Sequence, residues 1–276
     1  LVDNPHDAVR WLAFSDLLSE KDDPRGEFIR LQLELEAEDR TPAQRKALKE
    51  REAELLALHE RTWLGALAAE ILDAEPVPHY EAAGRTGRAP VAHQFIRGWL
   101  GRLEFHNLTV KQARAYATAP EARLVRELIV ETIANEAPEG ATQQYIDSYY
   151  APGPDVPADL DAYEDPGLHA LCRCPHLASV RSFQLGEGTG DEEYSNCHTS
   201  GRLAHSLVQQ MPNLERLALL AHRVDANKLF ALPMPRLESL LLFHSHSYPL
   251  EKLAANASLT NLETLRCHPH ALEYDD

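Results

Sequence analysis

One spacing recurs through the last two thirds of the chain and constrains its fold more than any other feature: apolar-x-x-apolar-x-apolar. Its copies are Leu100/Leu103/Phe105, Val125/Leu128/Val130, Val180/Phe183/Leu185, Leu214/Leu217/Leu219, Leu237/Leu240/Leu242 and Leu262/Leu265/Cys267. Successive copies begin 25, 55, 34, 23 and 25 residues apart, the longest interval being about two periods plus an insertion. The last two apolar positions of a copy are two residues apart, which puts them on one face of a strand. One strand cannot bury that face alone, but a stack of them can. The spacing predicts one short strand per copy, then a return segment.

A unit of this length is that of a leucine-rich-repeat solenoid, roughly 20–29 residues. The expected architecture is therefore a right-handed α/β solenoid of about six or seven irregular repeats. Such a fold makes surfaces for binding and rarely a catalytic pocket. Helix-like returns fall at Val110–Thr118, Gly201–Gln210, Asp225–Ala231 and Pro249–Ala255. Pro175, Pro212 and Pro235 precede three of the copies and stop the returns before them, since proline cannot continue a helix. The long interval holds an acidic insertion over about 131–166, with nine acidic residues and no basic one from Glu131 to Asp165. It is either an exposed loop or a degenerate repeat. A smaller insertion is Gly186–Ser200.

Residues 1–72 carry helical signals instead. Val9, Leu12, Ala13, Leu17 and Leu18 lie near one face of a first helix. Asp23-Pro24 reads as a cap with proline at the first helical position. Phe28, Leu31 and Leu35 then form a stripe. Thr41-Pro42-Ala43-Gln44 is a capping box opening a third helix, with Leu48, Leu55, Leu56 and Leu58. Gly26 in the first turn of the second helix costs about 1 kcal/mol against Ala, so a close neighbour is expected to need the space. Residues 73–94, with Pro76, Pro78, Gly84, Gly87 and Pro90, read as a linker, and 95–276 as the repeat domain. The helical region is expected to cap the first repeat.

Asn4-Pro5-His6-Asp7, Trp11-Leu12-Ala13-Phe14-Ser15-Asp16-Leu17-Leu18 and Asp23-Pro24-Arg25-Gly26-Glu27-Phe28-Ile29-Arg30-Leu31-Gln32 resemble the bacterial repeat-companion domain, which typically precedes leucine-rich repeats. Trp63-Leu64-Gly65 and Phe95-Ile96-Arg97-Gly98-Trp99-Leu100 resemble its later landmarks. The resemblance covers roughly residues 3–105, with Phe14 and Ser15 standing where the family often has Tyr and Ala. It implies architecture and a bacterial setting, and brings no activity with it.

The formal charge of −16 argues against a nucleic-acid partner, whose affinity comes mainly from Lys and Arg on phosphate, and against an anionic membrane surface. No run approaches the ~18 apolar residues of a membrane span, and no signal peptide is evident. Four cysteines in a chain this long do not make a disulfide framework, which points to a reducing, cytoplasmic setting.

In a stack of strands the x positions line one face, and that face is the expected site for a protein partner: Arg102, Ile129, Arg216, Ala218, Leu241 and Arg266. Two groups have zinc-ligand chemistry. One is His222, His244, His246, His268 and His270 with Cys267, whose simpler reading is polar residues bonding turn backbone. The other is Cys172, Cys174 and His176 with Cys197 and His198, where Cys-x-Cys is a weaker signal than paired Cys-x-x-Cys and the thiols serve equally as small core residues. Arg25, Arg30, Glu27 and Asp16 read either as a docking site or as ion pairs orienting two helices. No nucleophile or phosphate-loop motif is present. The expected function is a non-enzymatic interaction module without a cofactor, and the alternative is a zinc protein or metalloenzyme using the Cys/His groups.

Overall fold

The structure, a computed structural model, describes residues 7–75, 89–134, 166–188, 199–245 and 248–269. Its N-terminal region is helical: α1 (Ala8–Ser19), α2 (Arg25–Glu36), α3 (Pro42–Leu64) and, after a short 3-10 turn, α4 (Ala68–Leu72). Of the start signals, the one at Thr41 acts as the sequence predicts. Asp7 caps α1 by accepting the Arg10 N–H at 3.1 Å. Thr41 and Gln44 close a capping box over α3, satisfying donors that have no intrahelical partner. At α2 the helix begins one residue later than the proline signal places it, and Asp23 Oδ1 accepts the Arg25 N–H at 2.9 Å.

The rest is built on one seven-stranded sheet in sequence order: β1 (Val91–Ile96), β2 (Trp99–Phe105), β3 (Glu127–Val130), β4 (Ser182–Leu185), β5 (Arg216–Leu220), β6 (Ser239–Ser245) and β7 (Thr264–Pro269). The connections carry α5 (Val110–Thr118), α6 (Pro166–Leu171), α7 (Ala204–Val208), α8 (Ala226–Leu229) and α9 (Leu250–Ala255). Among the described residues no helix is long and apolar enough to cross a membrane.

This corrects the expected fold class. The chain is an α/β fold on a mostly parallel sheet with a helical N-terminal region, not a leucine-rich-repeat solenoid behind a capping domain. The sheet starts with β1, which pairs antiparallel with β2 and lies outside the repeat. The returns share no common form, from the nine-residue α5 plus a 3-10 turn to the four-residue α8. The physical reason is that the spacing encodes burial alone. Each copy supplies one parallel strand, whose alternate residues face the core, and one apolar residue at its entrance. Any parallel sheet whose strands follow chain order has that pattern.

Helices and sheet meet at the β1–β2 hairpin. Its turn residues Arg97 and Gly98 both have positive φ, at 50° and 84°, as a two-residue primed turn requires. The Gln32 amide of α2 spans the turn, donating to the Phe95 carbonyl at 2.9 Å and accepting the Gly98 N–H at 2.8 Å. A Cβ at Gly98 would come within 2.4 Å of Ile29. Arg97 is ion-paired to Glu36. Phe28, Trp63 and Phe95 form a ring cluster with centroids 4.8–6.1 Å apart, each such pair contributing about 0.5–1.5 kcal/mol beyond its burial. Asp23–Gln32, Trp63–Gly65 and Phe95–Leu100 thus supply contacts between α2, α3 and the hairpin, while Asn4-Pro5-His6 lies outside the described residues.

The same contacts decide between the two readings of the α2 charges. Arg30 bonds Asp16 and Ser15 on α1, and Glu27 holds Arg51 of α3 through both oxygens at 2.7 and 3.0 Å. Arg25 lies between Trp99, 4.0 Å from its ring centroid, and Trp63 at 5.4 Å. These are ion pairs and stacks within the molecule that orient helices. At Gly26 α1 and α2 approach closely, since a Cβ there would lie 2.6–2.9 Å from Ser19 and the Ser15 carbonyl.

One continuous core runs from Phe28 and Trp63 through the sheet to Leu253. Of the second expected insertion, residues 189–198 lie outside the described residues. After them, Thr199 Oγ1 donates to the Glu131 carbonyl at 2.7 Å, and its own carbonyl accepts the His222 N–H at 2.9 Å. Most of the acidic insertion, 135–165, lies outside the described residues.

Candidate functional site

The parallel register turns the x positions into rows across the outward sheet face. Arg102, Glu127, Ser182, Arg216, Ser239 and Thr264 are paired in sequence from β2 to β7. So are Glu104, Ile129, Gln184, Ala218, Leu241 and Arg266. Side chains in a row are neighbours, because parallel strands lie about 4.8 Å apart. All six residues expected to meet a partner therefore share one face, but not one environment. Arg216 and Arg266 are exposed and Arg102, Ala218 and Leu241 are half-buried, whereas Ile129 is buried. Arg102 is engaged locally, with Glu104 at 2.9 Å and Glu127 at 3.6 Å.

Among the described residues, the expected Cys and His ligands do not form a group of three within ligand distance of one another. Cys197, His198 and His246 lie outside the described residues, as does His270. His244 has its ring 4.7 Å from that of His222, and His268 is stacked on Phe243 at 4.1 Å. Cys174 is in the core, with Cys172 packed against it. Burial pushes both thiols up to about 11. His176 is pulled down by burial first and by Arg123 second.

A different group does converge. Glu104, His106 and Glu131 place one ligand atom each within 4.8 Å of one another, the one such trio among the described residues. Glu104 and His106 are alternate residues at the end of β2, on the same face. Glu131 follows β3 and sits beside them, its N–H bonded to the Phe105 carbonyl at 2.9 Å. Both carboxylates are at most 8% exposed. Glu104 Oε2 accepts from Arg102 at 2.9 Å, while Oε1 lies 3.0 Å from His106 Nε2. The His106 Nδ1 is hydrogen-bonded to the Ala89 carbonyl, so Nδ1 is the donor and Nε2 faces the carboxylates. Thr132 Oγ1 pins the backbone here by donating to the His106 carbonyl at 2.6 Å. Sequence reasoning missed this trio by looking for histidines after the last strands. The signal was in the repeat itself: Phe105 and Val130 occupy the same position in two copies, so His106 and Glu131, one residue further on, are neighbours.

Comparison of the chain with protein-family models, with curated proteins and with solved structures finds no match to any of them.

Proposed function

We propose that this chain is a non-enzymatic protein–protein interaction module, a scaffold or a recognition subunit of a larger assembly, working in a reducing cytoplasmic setting. The partner docks on the outward sheet face over β5–β7. The observation that carries this reading is the make-up of that patch: exposed Arg216 and Arg266 beside half-buried Ala218 and Leu241, on strands in direct register. Interface centres combine apolar area with arginine, whose planar fork binds carboxylates and stacks on aromatic rings. On a chain of net charge −16, two guanidinium groups on one face select a partner segment rich in acidic residues, and the surrounding acidic surface discourages nucleic acid.

The test is affinity capture from the native host's lysate, comparing wild type with Arg216→Glu/Leu241→Asp. Both substitutions are on half-buried or exposed outward positions and leave the inward core untouched. A protein enriched by wild type and lost with the variant supports the reading. Equal enrichment by both moves the contact to another surface, and enrichment of nothing removes the support for a module of this kind.

A further inference from the structure

We propose that Glu104, His106 and Glu131 form a binding site for a divalent cation of the zinc class. It involves none of the cysteines and none of the histidines after the last strands. The first support is the spacing. Two ligands on a tetrahedral zinc, at about 2.0–2.1 Å from the metal, stand roughly 3–3.5 Å apart. Glu104 Oε1 and His106 Nε2 already stand 3.0 Å apart, with a Glu131 oxygen inside the same 4.8 Å group.

The second support is the outer layer. Metal-binding histidines characteristically donate their other N–H to a carbonyl or carboxylate, and ligating carboxylates are themselves hydrogen-bonded. His106 gives Nδ1 to the Ala89 carbonyl, and Glu104 gives Oε2 to Arg102, leaving Nε2 and Oε1 turned inward. The third support is burial: both carboxylates are at most 8% exposed, and the attraction between a divalent ion and carboxylates is stronger away from bulk water. Nitrogen and oxygen donors with no sulfur suit zinc or a neighbouring first-row ion, not copper(I). Three protein ligands leave a fourth position for water or for a donor from a bound partner.

The experiment is zinc titration by calorimetry of untagged, chelator-stripped full chain, with metal content measured after dialysis. The expected result is one zinc per chain. Glu131→Gln, close in shape to the native side chain, and His106→Ala each abolish it, with folding checked by circular dichroism. Arg102→Ala, which removes a positioning group, weakens binding roughly 10–100-fold without abolishing it. Cys172→Ser/Cys174→Ser and His244→Ala keep full stoichiometry. Cobalt substitution of the wild type gives a second reading that needs no variant: visible bands of nitrogen and oxygen ligation without a thiolate charge-transfer band. Absence of zinc binding overturns the proposal, as does binding that survives Glu131→Gln and His106→Ala in folded protein, or a thiolate band. In the first case a His106–Glu104 ion pair alone occupies the site.

Discussion

The two ends of the sheet carry the same sequence pattern and live in different surroundings. Leu103, Leu128, Phe183, Leu217, Leu240 and Leu265 form one row in direct register. The first five are at most 2% exposed, and Leu265 is 44% exposed. At the β2 end a further strand, the hairpin turn and helices α2 and α3 close the core. At the β7 end the described residues place a strand on one side only. A repeated apolar position therefore does not contribute equally along the chain, because hydrophobic stabilisation follows the area removed from water, about 25 cal/mol per Å².

The comparison predicts a steep difference in stability. Leu240→Ala should lower the unfolding free energy by about 2–5 kcal/mol, the usual cost of a cavity under a fully buried leucine. Leu265→Ala should cost less than about half of that, since much of its area stays in water. Chemical denaturation of both variants checks this, and equal losses would break the comparison. Next in size is the hairpin dock. Gly98→Ala forces a side chain into positive φ and against Ile29, and should cost about 1–3 kcal/mol. Gln32→Leu, which leaves the Phe95 carbonyl and Gly98 N–H without their partner, should cost about 1–3 kcal/mol. If neither moves the denaturation midpoint, the helices do not brace the β2 end.

Amide hydrogen exchange sharpens the same contrast without substitution. Protection should be highest in β3 and β4 and lowest in β7, as local opening is easiest where few apolar contacts are buried. Uniform protection would mean that the β7 end is held as firmly as the centre. The smallest effect concerns the thiols. With Cys172 and Cys174 pushed up to about 11 by burial, the thiolate is scarce at neutral pH. Alkylation of Cys172 and Cys174 in the native protein at pH 7–8, read by peptide mass spectrometry apart from Cys197 and Cys267, should therefore run slower than that of a free cysteine near 8.5, and rise as pH climbs toward 11. Rapid alkylation of Cys174 at neutral pH would show that the core around it opens easily.

Much of the strand layout was legible because it rests on local rules. Alternation at Leu103/Phe105 or Leu240/Leu242 and the entrance residues Val125, Val180 and Leu237 mark strands wherever one face is buried. Thr41 with Gln44 marks a helix start because capping is a matter of a few neighbouring bonds. Even the outward rows could be written from the spacing, Arg216 beside Ser182 and Leu241 beside Ala218. The fold class could not, because burial periodicity is the same in any parallel sheet that runs in chain order. β1 carries no copy of the pattern, since it pairs antiparallel and sits in a stretch whose prolines and glycines read as a connection.

What the sequence determined by itself, then, is the buried face of strands β2 to β7 and the start of α3, because these depend on residues a few positions apart. Only the tertiary structure decided that Gln32 clasps a turn more than sixty residues away. It alone left Leu265 half in water while Leu240 is sealed, and brought the buried Glu104 and Glu131 together with the half-buried His106. Those outcomes depend on which segments become neighbours across the sheet, and on how many neighbours each strand has.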